Sequence, residues 1–212
     1  MTKVFKPVYG FGINDLGLKS KDPVYQKWVD MLKRCYSAKH LDANPSYYGV
    51  TVCDDWLKVS AFSYWLYLHE NWETLELDKD LKGGKIYSPS TCLFVPHYVN
   101  SLFVMKRKEH EYPLGVSLKP QDPRMVSPHS NPYRARIRKD NKEYSLGHHY
   151  SVESAHAAWQ LAKVTHIKEV IDRYRREGFY NKEVEDSLIN IYKNIEQDLQ
   201  NQRPTTREGM FR

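Results

Sequence analysis

Cysteine is scarce in this chain of 212 residues: Cys35, Cys53 and Cys92 are an odd number without a C-x-x-C pair. That pattern argues against a disulfide framework and against a structural zinc knuckle, and predicts three reduced thiols. Long apolar runs are missing too. No stretch approaches the roughly 20 residues that cross a bilayer, and the opening "MTKVFKPVYG" has no apolar signal core. A cytoplasmic location with no membrane partner is expected. The phosphate-cradling G-x-x-x-x-G-K-[ST] and the nucleophile elbow G-x-S-x-G are absent, which removes NTPase and serine-hydrolase readings. His148-His149 and the His156/His166 pair lack the i, i+4 spacing of a helical metal site. Packing or surface roles are expected for them, and no cofactor is implied.

What the chain does have is a globular composition, 41% hydrophobic and 27% charged, with 16 tyrosines and 5 tryptophans. The length suits one generous domain or two small ones. The net charge of +6 is moderate, but it is concentrated. Between Lys106 and Lys142 stand ten cations (Lys106, Arg107, Lys108, Lys119, Arg124, Arg134, Arg136, Arg138, Lys139, Lys142) against four anions (Glu109, Glu111, Asp122, Asp140). This segment carries a surplus equal to that of the whole chain, as a polyanion binder would.

Residues 1–21 are Gly-rich and aperiodic, an arm expected to lie on the body. Asp22-Pro23 reads as N-cap and N1 proline of a helix whose apolar stripe is Tyr25, Trp28, Leu32, Cys35 and Tyr36. Lys27, Lys33 and Arg34 lie off that stripe, as solvated lysines and arginine or as backbone contacts for a polyanion. A short β-branched run around Val50 and Val52 follows, then a helix "AFSYWLYLHEN" that Ser60 would cap. "LDKDLKGGKIYSPSTCLFVP" reads as strand, loop and strand, bent at Gly83-Gly84. From Pro113 come three short strand-like runs, "PLGVSLK", "YRARIRK" and "KEYSLGHHY", separated by turn-rich segments. Ser151 caps a long helix with small residues Ala155, Ala158 and Ala162, stopped near Gly178. A last helix starts near Asn181. Its seam Val184, Leu188, Ile191, Ile195 and Leu199 can pack within the chain or pair with a second copy across residues 184–199. The basic tail "RPTTREGMFR" shows no helical pattern and is of the kind usually left disordered.

"YRARIRK" is the most informative stretch. Strand side chains alternate between faces, so Tyr133, Ala135 and Ile137 point one way and Arg134, Arg136 and Arg138 the other, about 6.6 Å apart at ~3.3 Å per residue. Burying three guanidinium groups is too costly, so they are exposed or paired, with Glu143 and Asp140 as the nearby carboxylates. An exposed row of this kind clamps phosphates or reads guanine edges.

In combination, "YQKWVDMLKRCYS", "VTVCDDW", "LDKD", "YSPSTCLFVP" with Asn100, "YPLGV", and "YRARI" with "SLGHHYSVESAHAAW" resemble a group of tailed-phage proteins often labelled HNH endonuclease, over residues 12 to about 174. The resemblance implies an α+β chain. A 22–112 segment would hold an HNH-like ββα module with preceding helices. A 113–178 segment would be similar to the ethylene-response-factor (APETALA-type) DNA-binding domain, a three-stranded antiparallel sheet packed on a helix. Residues 179–212 lie beyond the resemblance and are expected, from their own pattern, to form a helical C-terminal extension.

The same resemblance implies that the nuclease site is degenerate. Asp78-Lys79 stands where the group has Asp-His, and Thr91 at the asparagine position, leaving His97 and Asn100 as helix-side candidates. A general base must be unprotonated near neutral pH; lysine starts near 10.4 against about 6.5 for histidine. Lys79 can instead hold a phosphate as a point charge. Asp78 and Asp80 either form an ion-pair cluster with it or, in an active nuclease, bind Mg²⁺. The expected function is nucleic-acid binding without cleavage, through Lys106, Arg107, Lys108, Lys119, Arg134, Arg136, Arg138, Lys142 and Lys79, with DNA or structured RNA, including ribosomal RNA, as partner. An active metal-dependent DNA endonuclease and a factor acting on host translation through the ribosome are the alternatives.

Overall fold

A computed structural model of the chain describes residues 6–103, 111–119 and 130–212. The chain divides into two compact units, Met1–Pro96 and His97–Arg212. The division falls earlier than the 112/113 boundary expected from the strand pattern, and it puts the 179–212 extension inside the second unit. Mixed helix and antiparallel sheet make the architecture α+β. Among the described residues no helix is long and apolar enough to cross a membrane, and the three cysteines are unpaired.

The first unit is built on α1 (Pro23–Tyr36), whose N-cap Asp22 accepts from the Val24 and Tyr25 amides. Its buried face is Val24, Trp28, Met31, Leu32 and Cys35, with Tyr25 and Tyr36 only half-buried. The wholly buried Trp28 donates its indole N–H to the Trp56 carbonyl at 2.7 Å. Lys27 and Arg34 are not phosphate contacts in reserve. Lys27 Nζ donates to the Leu75 carbonyl at 2.7 Å and Arg34 reaches the Leu77 carbonyl at 3.5 Å, so both side chains bind the backbone around the following strand. After α2 (Ala38–Ala43) and β1 (Thr51–Val52), α3 (Val59–Tyr67) is capped by Asp15 of the N-terminal arm, not by its own Ser60. Asp15 accepts from the Ser60 amide at 3.0 Å and from its hydroxyl at 2.5 Å. The arm approaches so closely at Gly12 that a Cβ there would lie 2.3 Å from Leu32 and 2.8 Å from the Trp28 ring.

β2 (Glu76–Asp78) pairs antiparallel with β4 (Leu93–Val95), and β3 (Ile86–Tyr87), which follows the glycine pair, instead pairs parallel with β1. The bend at Gly83-Gly84 therefore does not join the two paired strands. It leads into a separate two-residue strand, because Thr51 and Val52 offer a partner that local sequence could not reveal.

The second unit opens with the single turn α4 (His97–Asn100) and continues to an antiparallel sheet in the order β5 (Val116–Leu118), β6 (Tyr133–Lys139), β7 (Lys142–His149). The three strands expected from the sequence are all present. α5 (Val152–Tyr174), capped by Ser151, packs on them through Val116, Ala135 and Ala155, joined by Tyr112, Tyr133, Leu146 and Ala158. Small side chains permit that closeness, and Gly115 shows the limit. It has φ +78°, and a Cβ on it would sit 2.0 Å from the Trp159 ring.

α6 (Lys182–Gln200) lies along α5. Most of its seam is spent inside the chain: Val184, Leu188, Ile191 and Ile195 are all fully buried and Leu199 is half-buried, so those four present no face to a second copy. The tail folds back as well. Thr206 caps α7 (Arg207–Met210), Met210 is fully buried, and Arg212 donates to Asp198 at 2.9 Å.

Truncating Leu188 or Ile195 to Ala should destabilise the protein by about 2–5 kcal/mol. The midpoint of thermal unfolding should be independent of protein concentration; a midpoint that rises with concentration would return the seam to a dimer interface.

Candidate nucleic-acid interface

Register decides what β6 presents. In the ladder Arg134 lies between Ser117 on β5 and His148 on β7, Arg136 opposite Ser145, and Arg138 opposite Glu143. Side chains of laterally paired residues share a face. Ala135 and Ile137 are buried under α5, so the arginines project from the other surface, with Ser117 and His148 beside them. The extra residue of β7 that keeps this phase lies at Leu146-Gly147, where Gly147 takes φ +101° and Leu146 turns into the apolar cluster.

The three guanidinium groups differ. Arg138 is exposed and touches Asn141 Oδ1 at 3.4 Å. Arg136 is bridged on both sides, to Glu143 at 2.6 Å and to the Ser117 hydroxyl at 3.2 Å, so one positive charge of the row is neutralised at rest. Arg134 is half-buried, and its Nε has no hydrogen-bond partner among the described residues. Lys119 belongs with them. Its amide continues the β5–β6 ladder to the Pro132 carbonyl at 2.7 Å, so alternation returns its side chain to the arginine side.

Two other expected contacts do not join this surface. Lys142 pairs with Lys139, whose Nζ reaches Glu169 of α5 at 2.9 Å, so Lys142 belongs to the helix side of the sheet. Lys79 is in the first unit and buried: its Nζ meets Asp80 at 2.6 Å and lies 5.5 Å and 5.7 Å from the Tyr47 and Tyr87 ring centres. Shielded by aromatic faces, it cannot offer a point charge to a polymer. Lys106, Arg107 and Lys108 lie outside the described residues.

The positions of the HNH-like pattern are structural where they can be followed. Asp78 accepts from the Leu81 amide at 3.0 Å and from the Asp80 amide at 3.4 Å, and so caps the turn after β2. Burial pushes its carboxyl up to about 6, opposed by the Leu81 amide and reinforced by Asp80. The Thr91 hydroxyl donates to the Ile86 carbonyl at 2.6 Å and accepts from the Ser88 amide, fastening the loop before β4. His97 and Asn100 stand on α4 in the second unit. No cluster of three or more His, Cys, Asp or Glu side chains able to hold a metal occurs among the described residues.

Sequence reasoning missed Ser117 and His148, because only the register sets them beside Arg134. It also missed the polar interior of α5. His156 Nδ1 faces the Leu114 carbonyl at 2.9 Å while its Nε2 accepts from the Thr205 amide at 2.9 Å. Gln160 donates to the Arg203 carbonyl and the Thr205 hydroxyl. Wholly buried Lys163 donates to the Leu102 carbonyl, and burial lowers its ammonium to about 8, helped by Lys139. Leu114, the returning C-terminal segment and residues 101–103 supply the partners of these groups, and local sequence shows none of those contacts.

Asp78 carries a pH signature. An unfolded aspartate releases its proton near 3.9, the folded one near 6, so the native state binds more protons between those values. Stability should therefore fall as pH rises from about 4 to about 6, by up to about 3 kcal/mol. Asp78→Asn should remove that slope and raise stability at pH 7 in denaturant titrations; an unchanged slope would show that the carboxyl is not held protonated.

No protein-family model matches the chain, and no significant similarity to a curated protein or to a solved structure was found.

Proposed function

We propose that the protein binds nucleic acid through the outer surface of its β5–β6–β7 sheet and does not cut it. The observation that carries this reading is the placement of Arg134, Arg136 and Arg138 in one row on the sheet surface that α5 leaves uncovered. Lys119 and His148 flank that row, and a narrow antiparallel ribbon with such side chains suits a phosphate backbone or a groove. Guanidinium groups grip phosphate by paired N–H donation, and the Arg136–Glu143 pair would open as phosphate replaces carboxylate. Binding of this kind takes DNA and structured RNA alike, ribosomal RNA included, because the donors face phosphates before bases.

The resemblance to tailed-phage HNH-like proteins carrying an ethylene-response-factor type domain points the same way, toward a binding protein of the host-cell cytoplasm with a degenerate nuclease module. The cleaving alternative has less support. Lys79 is held by Asp80 under two tyrosine rings, and both oxygens of Asp78 accept backbone amides.

The test is retention on labelled duplex DNA and structured RNA across salt concentrations, by fluorescence anisotropy. The wild-type protein should weaken steeply with salt. Reversing all three arginines (Arg134→Glu, Arg136→Glu, Arg138→Glu) should flatten the slope of log K against log salt by about 2–3, at roughly 0.9 per lost phosphate contact. Unchanged affinity and slope in a variant with native circular dichroism would overturn the reading.

A further inference from the structure

At the hairpin end of β6, next to Arg138, the second unit contains a small cavity of about 170 Å³. Arg138, Asp140 and Asn141 line it from the β6–β7 turn, His166 from α5, and His97 and Ser101 from the turn at the start of the unit. At about 30 Å³ per water it has room for five or six waters. It is smaller than the ~300 Å³ at which sites for small organic molecules begin. A nucleobase with its sugar does not fit. A single tetrahedral group does.

The chemistry of the lining selects the sign. His166 is 6% exposed, and its Nδ1 is a buried polar atom without a hydrogen-bond partner among the described residues. That atom is available to a polar group entering the cavity, in place of water. Arg138 stands where β6 has run past its pairing with β5, so its side chain reaches the cavity at that open edge, and its guanidinium has one hydrogen bond among the described residues, to Asn141. Burial first, then the charges of Lys163 and Lys139, hold the His166 imidazole neutral, down to about 4, against weaker opposition from Glu169 and Asp140. A neutral imidazole with its proton on Nδ1 is a donor, and the charges that act most strongly on it, Lys163 and Lys139, are positive. Those charges disfavour a metal cation, and no metal-competent cluster occurs there among the described residues. Asp140 is the one carboxylate in the lining among the described residues; it lies exposed at the turn, where solvent screens it.

We propose that this cavity is a site for one phosphate group in monoester form, held by Arg138 and by the Nδ1–H of His166. The assignment rests on the nucleic-acid reading for its natural source. The cavity lies at the end of the arginine row, where the terminal phosphate of a polynucleotide lying along that row would arrive. Inorganic phosphate offers the same group without the chain.

The experiment uses the full chain and two probes. In the first, the His166 ring nitrogens are followed by nitrogen–proton NMR during titration with inorganic phosphate to about 10 mM, at constant ionic strength made up with chloride. A saturable shift with a dissociation constant near 1 mM, about −4 kcal/mol, is expected. Asn141→Asp, which adds a carboxylate to the lining on an exposed turn, should abolish it. In the second, oligonucleotides of one sequence with and without a 5′-phosphate compete for the protein. At least a tenfold preference for the phosphorylated end is expected, lost in Asn141→Asp.

A saturable shift without end preference would still support the cavity as a phosphate site and assign it to the free ion. No shift and no preference would overturn the cavity as a site. Salt-dependent retention of polymer, measured on the same samples, shows separately whether the arginine surface binds, so the two readings fail independently.

Discussion

One constraint governs the second unit: β6 must bury Tyr133, Ala135 and Ile137 and cannot bury the arginines between them. Side chains alternate with a period of two, so a slip of one residue against α5 would force three guanidinium groups into the apolar cluster. Each would lose its hydration without a partner, a cost that no packing of Ala155 or Trp159 could offset. The register is thus set as firmly by charge as by apolar contact. The surplus residue at Leu146-Gly147 fits the same logic. It lets β7 change phase locally so that Leu146 joins the core while Ser145 and His148 stay on the arginine side.

The other face of α5 is organised by polar contacts. His156, Gln160 and Lys163 are buried, and each finds its partner in a carbonyl, amide or hydroxyl of a distant segment. Asp198, 2% exposed, closes the arrangement by accepting from Thr205, Arg203 and Arg212. Buried polar groups of this kind contribute less to stability than to uniqueness, because only one arrangement of the returning C-terminus satisfies all of them. This explains why a tail that looks featureless in sequence is folded. Its anchor is the partner set on α5, together with the buried Met210 and the Phe211–Phe103 ring contact at 5.3 Å.

These two faces explain what was legible. The helix caps at Asp22 and Ser151, the three strands from Val116 and the two-sided character of "YRARIRK" follow from local rules of periodicity and capping, and they appear where expected. Pairings between separated segments were not legible. β3 joins β1 because of a match between residues 51–52 and 86–87, and Asp15 caps α3 from more than forty positions away. The α6 seam has a heptad-like spacing that fits either a neighbouring helix or a second copy, and sequence alone does not distinguish them. Lys79 failed for a related reason: a lysine in a charged turn looks solvated until Tyr47 and Tyr87 are placed over it.

The same placement changes what the charge surplus means. Counting residues between Lys106 and Lys142 treats every cation as available to a partner on one surface, but Arg136 is paired with Glu143, Lys139 is paired with Glu169, and Lys142 lies on the helix side of the sheet. Exposed ion pairs contribute little to stability, so the Arg136 pair is held weakly and can exchange its carboxylate for phosphate. Lys139 differs, because its partner sits on α5 and its side chain spans sheet and helix. Arg134, Arg138 and Lys119 have no ion pair among the described residues, and they lie toward opposite ends of the row. On the proposed reading, attraction at a distance would start from the two ends, with Arg136 joining on contact. A polyanion would be drawn in along the strand, as expected where phosphates set position before any base is read.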